Sequence, residues 1–131
     1  MRRMLPLALI FALAAGCSGT PATIDVSGAI AIAPAPGGWT GSAGEPCRTG
    51  SSSGHSDLKE GAQVVISDAA AKTIAIGQLA AGVQDGAGGC RFAFRVTKVP
   101  DGQGFYGIEV THRGRLQYTA EQMKKPIELA L

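Results

Sequence analysis

Apolar and polar residues alternate in several short segments of the chain beyond residue 23. The period of two is clearest over residues 91–99, where phenylalanine and valine alternate with arginine and threonine. Successive side chains of a strand point to opposite faces, so this pattern predicts a strand with one buried face. Similar patterns predict further strands over residues 24–32, 62–67, 73–79, 104–112, 115–118 and 127–131.

Each predicted strand has an expected inward face, and turn signals separate the strands. We expect a bulge at Ser27–Gly28 and a turn at Asp85–Gly86 within a loop over 82–89. Thr119 and Gln122 have the spacing of a capping box for one helical turn. The residues expected to point inward are Val64, Ile66, Ile74, Ile76, Phe92, Phe94, Val96, Tyr106, Ile108, Val110, Leu116 and Tyr118.

The sequence contains no amphipathic helix of ordinary length and no alternation of helices with strands. Many short strands separated by turn signals are typical of an all-β domain. We therefore predict a small antiparallel β-sandwich of about seven strands, with one short helical turn near the C-terminus. A closed barrel is the competing architecture.

The first sixteen residues predict export. Arg2 and Arg3 precede an apolar run over residues 4–15, which is shorter than the roughly 20 residues that a membrane-spanning helix needs. The segment Leu13-Ala14-Ala15-Gly16-Cys17 resembles the lipobox of bacterial lipoproteins. That resemblance implies a signal peptide over 1–16, cleavage between Gly16 and Cys17, and diacylglycerol and N-acyl lipid on Cys17. A tether over 17–23 would then join the lipid to a domain over 24–131, held at the extracytoplasmic face of the cell membrane.

Charge gives no support for a nucleic-acid partner. The chain carries 12 Lys and Arg against 10 Asp and Glu, but two of the arginines lie in the predicted leader. The remaining chain is close to neutral, whereas nucleic-acid-binding domains carry basic patches. We expect no cofactor other than the covalent lipid.

The other two cysteines, Cys47 and Cys90, form an even pair in a predicted oxidising compartment. The simplest interpretation is one disulfide. Two unlinked thiols or a metal site are the alternatives, although two cysteines do not complete a zinc tetrahedron, and His55 and His112 are not suitably spaced to join them.

The order of motifs between Cys47 and Tyr118 resembles a family of secreted lipoproteins of actinobacteria, including mycobacteria. The resemblance favours a transthyretin-like or immunoglobulin-like sandwich and implies no activity. His55 stands where that family more often has an aromatic residue. The matching segments are Cys47, 54–58, 64–68, Gly77, Leu79, 90–94, 99–100, 105–106, 112–114 and Tyr118.

Two patterns raise the possibility of catalysis. Gly50-Ser51-Ser52-Ser53-Gly54 matches the nucleophile elbow of hydrolases, but no predicted helix follows it, so a linker of small residues is the simpler interpretation. His55 and Asp57 would project the same way from an extended segment, as a general base and its orienting carboxylate do. A structural role, with Asp57 capping backbone amides, is the competing interpretation.

Two other features suggest binding. If the strands over 91–99 and 104–112 are paired, Arg91, Arg95, Arg113 and Arg115 would form a basic face for lipid headgroups or another anionic ligand. Trp39, in the Pro- and Gly-rich loop over 33–46, would serve as a contact residue or fold back over the sandwich. We therefore expect a non-catalytic binding role in the cell envelope, with an envelope protein or anionic ligand as partner. The alternatives are an envelope hydrolase using Ser52 and His55, and a loop-based enzyme inhibitor using residues 34–46.

Overall fold

Two four-stranded sheets pack face to face in the computed structural model, which describes residues 16, 19–47 and 54–131. In the first sheet the strand order is β4-β5-β1-β8, and in the second it is β3-β2-β6-β7. Neighbouring strands are antiparallel except β1 and β8, which are parallel. The elements are β1 (Thr23–Ile32), β2 (Gln63–Ser67), β3 (Thr73–Gln78), β4 (Val83–Gln84), β5 (Cys90–Pro100), β6 (Phe105–Val110), β7 (Arg115–Thr119), α1 (Ala120–Met123) and β8 (Ile127–Ala130).

The predicted class, a small all-β sandwich with one disulfide and one short helix, is confirmed. Cys47 and Cys90 form the disulfide, which joins the loop after β1 to the first residue of β5. The capping box of α1 is present, since Thr119 Oγ1 accepts from the amide of Gln122 and the Gln122 side chain accepts from the amide of Thr119. The short strand β4 lies within a segment predicted as a loop.

The apolar core lies between the sheets. Phe92, Phe94 and Val96 of β5 point into it, while Arg91 and Arg95 point outward, as the alternation predicts. The predicted inward faces of β2 and β6 are likewise buried. The hydroxyl of the core residue Tyr106 donates to the carbonyl of Pro100 at 3.1 Å, so this buried polar group is satisfied.

The prediction for β3 is wrong at Ile76, whose surface is 57% exposed. The pairing of Val64 with Gly77 places Gly77 on the inward face and Ile76 on the outward one. β3 packs closely against β5 there: a Cβ atom on Gly77 would lie only 2.6 Å from Val96 Cγ2. Small residues therefore fit this inward face, and a large one does not.

The bulge of β1 also differs from its predicted position. The register against β5 shifts between Ile24 and Val26, at Asp25, rather than at Ser27–Gly28. Gly28 instead allows a close approach of chains, because a Cβ atom there would collide with the carbonyl oxygen of Ile127 on β8. The parallel pairing of β8 with β1 thus depends on this glycine.

Candidate functional site: the Trp39–His55 cleft

A cleft of about 280 Å³ opens at the end of the sandwich where Ile32 of β1 pairs with Cys90 of β5. We call it the Trp39–His55 cleft. Its walls come from the end of β1, the loop that follows, the turn before β5, and the segment after the disulfide loop. The lining residues are Ile32, Ala33, Pro34, Ala35, Pro36, Gly37, Gly38, Trp39, His55, Gly88 and Leu131.

The proline-rich wall is held by backbone hydrogen bonds at both of its ends. The amide of Ala33 donates to the carbonyl of Leu131 at 3.2 Å, and the amide of Leu131 donates to Ala31 at 3.0 Å. The amide of Gly38 donates to the carbonyl of Ala35 at 2.9 Å and closes a turn. Pro34 and Pro36 fix their own φ angles, so this wall is preformed in the unbound domain.

Gly88, which also lines the cleft, belongs to a turn organised by Asp85. Oδ1 of Asp85 accepts from the amides of Ala87 at 2.7 Å and Gly89 at 2.9 Å. These two hydrogen bonds hold the pKa of Asp85 below its usual range. The turn predicted at Asp85–Gly86 is thereby confirmed. The same hydrogen bonds hold Gly88 in its place in the lining of the cleft.

Gln84, directly before that turn, anchors the loop that continues from the cleft to the disulfide. Its side-chain Oε1 accepts from the amide of Gly41 at 2.7 Å, and its Nε2 donates to the carbonyl of Pro46 at 3.1 Å. Its backbone amide donates to the carbonyl of Glu45 at 2.8 Å. The buried Gln84 therefore holds residues 41–46 in place. These residues are part of the loop over 34–46 for which a role in enzyme inhibition is one of the hypotheses.

Trp39 is half-buried, packs against the hydrophobic core and also lines the cleft. Folding back over the sandwich, one of the two predicted roles, agrees with this packing, and a role as a contact residue stays a prediction. The indole is thus a fixed part of the wall.

His55 lines the same cleft, and its Nδ1 atom is buried with no hydrogen-bond partner among the described residues. Its backbone is fixed, since the carbonyl of His55 accepts from the amide of Leu58 at 3.0 Å. A buried polar atom without a partner is destabilising by about 1–3 kcal/mol, so such atoms are uncommon in folded proteins. His55 is therefore a lining residue of the cleft whose Nδ1 atom still lacks a hydrogen bond to the described residues.

Asp57 does not serve as a partner for His55. Arg113 forms a two-pronged ion pair with the carboxylate of Asp57, with Arg113 Nε 2.7 Å from Oδ2 and Nη2 bonded to Oδ1. Thr111 Oγ1 donates to the same Oδ2 at 2.5 Å. Asp57 thus makes structural contacts, but its partners are mainly side chains of the β6–β7 turn and not the backbone amides that the sequence-based interpretation expected.

This ion pair changes the titration of both groups. The guanidinium of Arg113 is the main reason that the pKa of Asp57 lies well below its usual range, while partial burial opposes the shift. The same contact raises the pKa of Arg113. Because both carboxylate oxygens are bonded to Arg113 or Thr111 and His55 Nδ1 has no partner among the described residues, Asp57 is not arranged as the orienting carboxylate of a histidine base.

The four arginines expected on one basic face do not share one. That face required the strands over 91–99 and 104–112 to be paired, but β5 pairs with β1 and β4 and lies in a different sheet from β6. Arg91 and Arg95 lie on the first sheet, paired with Glu128 at 2.6 Å and Asp25 at 2.7 Å. Arg113 and Arg115 belong to the other sheet and its turn. Their charges are therefore divided between two surfaces and mostly compensated.

Several predicted site residues lie outside the described residues. These are Cys17, the signal segment apart from Gly16, and Ser52 with the rest of 48–53. Within the part of the chain that the structure describes, no helix is long and apolar enough to cross a membrane. The same residues contain no group of three or more His, Cys, Asp or Glu side chains that could hold a metal ion.

Comparison with known proteins adds no assignment: no family model, curated protein or solved structure matches this chain. The assignment of the candidate site therefore depends on the geometry of its residues alone.

The sequence pattern singled out Trp39 and His55 separately but gave no sign that they line one cleft, since their proximity depends on how the loop after β1 folds back. The positions of Gly88 and Leu131 in the same cleft had no signal in the sequence.

Proposed function

We propose that this chain is an exported lipoprotein, anchored through Cys17 at the extracytoplasmic face of the cell membrane, whose domain binds a small ligand in the Trp39–His55 cleft. The observation that carries the proposal is that His55 lines a preformed cleft while its buried Nδ1 atom has no hydrogen-bond partner among the described residues. A ligand group that bonds this nitrogen replaces a missing hydrogen bond, which favours the bound state.

The residues of the cleft favour an uncharged ligand. No Lys, Arg, Asp or Glu side chain is among its described lining residues. An anionic ligand would lose hydration there without gaining a Lys or Arg side chain as a counter-ion, and that loss is costly. The separation of the four arginines removes the support for the anionic ligand expected from the sequence.

The chemistry of Nδ1 further favours a hydroxylated ligand. A neutral imidazole carries its proton on either nitrogen, so Nδ1 is a donor in one tautomer and an acceptor in the other. A hydroxyl group both donates and accepts, so it matches either tautomer. The indole of Trp39 offers an apolar face for the carbon skeleton of the same molecule. The volume of about 280 Å³ lies at the small end of ligand pockets, which limits the ligand to a compact molecule.

The anchor and the compartment are supported by the sequence. The order of the positive residues, the apolar run and Gly16–Cys17 resembles that of bacterial lipoproteins. Two or three acyl chains hold a protein stably on a bilayer, since each buried methylene contributes about 0.8 kcal/mol. We further propose membership of the actinobacterial lipoprotein family that the segment from Cys47 to Tyr118 resembles.

Photocross-linking from the cleft tests the binding role. A photoreactive amino acid replaces Pro36 at the exposed rim of the cleft in cells that produce the full chain. The matched control carries it at exposed Thr97, towards the opposite end of β5. We expect a defined small-molecule adduct on Pro36→photoprobe chains and none on the control. The absence of adducts at the cleft, or identical adducts at both positions, would contradict the proposal.

A further inference from the structure

β7 lies at one edge of the second sheet and pairs only with β6 among the described strands. Two other edges are partly covered: Leu79 forms a bridge with Phe94 beyond β3, and Pro46 forms one with Val83 on β4. β8 is the fourth edge, and its inward residues Ile127 and Leu129 are already buried. β7 is therefore the edge where both backbone pairing and apolar burial are incomplete.

Leu116 shows that incomplete burial most clearly. It pairs with Ile108 and thus shares the inward face of the second sheet. Ile108 is only 1% exposed, whereas Leu116 remains 54% exposed. The sequence-based expectation that Leu116 is inward is confirmed for its direction but not for its burial. An additional strand beside β7 would cover this side chain.

The charged side chain of β7 points away from the exposed edge, so it does not hinder the addition of another strand there. Natural sheets discourage strand addition by placing charged side chains, prolines or bulges on exposed edges. Arg115 is the only charged residue of β7, and its side chain crosses Gly107 of β6 so that Nη2 donates to the carbonyl of Asp68 at 2.6 Å. A Cβ atom on Gly107 would collide with Arg115 Nε, so the glycine permits this path.

The sequence of β7 is compatible with pairing to itself. In an antiparallel pair of two copies centred on Gln117, Arg115 lies opposite Thr119 and Leu116 lies opposite Tyr118. No like charges meet, all five residues are paired, and apolar side chains remain on the inward face in both copies. Tyr118 is half-buried already, so the partner's Leu116 would extend an existing apolar surface.

We propose that two copies of this chain associate through β7, with a twofold axis at Gln117 that joins their second sheets into one eight-stranded sheet. A twofold contact uses the same strand on both copies and closes after two, so it yields a dimer rather than a fibre. Main-chain hydrogen bonds would provide affinity, and the Leu116–Tyr118 contacts would fix the register. Five paired residues form a small interface, so the association is reversible.

Cysteine cross-linking in cells that produce the full chain tests the proposed dimer. Gln117→Cys places a thiol beside the proposed axis, and a short bifunctional thiol reagent then joins two such copies. Ile76→Cys is the matched control, because Ile76 is 57% exposed but lies on β3 at the other edge of the same sheet. We expect a cross-linked species of twice the chain mass for Gln117→Cys and none above background for Ile76→Cys.

A second substitution separates the proposed register from random collision. Leu116→Lys, added to Gln117→Cys, introduces a charge at the contact, so we expect loss of the dimer. Peptide mapping checks that the Cys47–Cys90 disulfide, and with it the fold, is retained in every variant. A dimer unaffected by Leu116→Lys, no cross-link beyond the control, or a cross-link to a different protein would overturn the proposal. None of these outcomes depends on whether the cleft binds a ligand.

Discussion

Arg113 binds Asp57 through two hydrogen bonds and so connects two segments that lie 56 positions apart in the sequence. Asp57 lies in the segment that carries His55, and Arg113 lies in the turn between β6 and β7. The pair therefore joins the second sheet to one wall of the Trp39–His55 cleft. It also explains why Asp57 is a structural residue despite its closeness to a histidine.

The first prediction concerns that ion pair. Asp57→Asn removes the charge but keeps the side-chain shape, and we expect it to lower the free energy of unfolding by about 1 kcal/mol at neutral pH, the upper range for partly exposed pairs. Chemical denaturation measures the change. Glu60→Gln, at an exposed position of the same loop, is the matched control and should change stability by less than about 0.5 kcal/mol.

The pH dependence of the Asp57→Asn effect has a defined sign. The pKa of Asp57 is lowered in the folded state, so its contribution is complete above the ordinary aspartate pKa of about 3.9 and is lost as the pH falls through the lower folded value. The stability difference between the parent and Asp57→Asn should therefore narrow between about pH 5 and about pH 2. A difference that stays constant over this range would show that the ion pair is not its cause.

The second prediction concerns the disulfide. Cys47 and Cys90 are 43 positions apart, and a covalent link across such a loop stabilises the folded state by about 4 kcal/mol in the chain-entropy model. We expect the double variant Cys47→Ser, Cys90→Ala to lose stability of that order in denaturant titrations. Alkylation of the unreduced parent should label neither cysteine, and labelling of either would contradict the assignment.

The third prediction concerns the contact between β1 and β8. Gly28→Ala places a methyl group against the carbonyl of Ile127 and 2.7 Å from Phe94 Cζ, so strands or core must move. We expect destabilisation of about 1–3 kcal/mol, typical of overpacking. Gly104→Ala meets nothing within 4 Å and is the control. Equal stability of the two variants would show that β8 does not depend on close approach at Gly28.

The fourth prediction concerns the proposed anchor. Cys17→Ala removes the thiol that the lipobox resemblance assigns to lipid. We expect the variant to move from the detergent phase to the aqueous phase in detergent partitioning, because its acyl chains are absent. Cys47→Ser should leave partitioning unchanged. If Cys17→Ala remains in the detergent phase, the proposed lipidation is wrong.

Local patterns predicted much of this fold because strand alternation, turn residues and capping depend on neighbouring positions. The alternation over 91–99 correctly placed Phe92 and Arg95 on opposite faces of β5. The pattern failed at Ile76, where its outward direction follows from how closely β3 approaches β5 in space. The order of strands in the sheets could not be predicted from local patterns either. For that reason the arginines of β5 and β7 were expected on one face, although the two strands belong to different sheets.

The candidate site shows the same division between local and long-range information. Residue type alone marked Trp39 and His55 as unusual in a chain with one tryptophan and two histidines. Their meeting in one cleft depends on the Gln84 anchor and the Arg113–Asp57 pair, which connect segments far apart in sequence. His55 and Asp57, two positions apart, suggested a catalytic pair, but the carboxylate is bonded to Arg113, which is distant in sequence.

The most direct test of the binding proposal compares two His55 variants in the Pro36 photocross-linking assay. His55→Gln retains a hydrogen-bonding side chain, whereas His55→Leu removes it while preserving much of the volume. We expect the small-molecule adduct to persist in His55→Gln and to be lost in His55→Leu. An undiminished adduct yield in His55→Leu would contradict the claim that the unpartnered nitrogen of His55 holds the ligand.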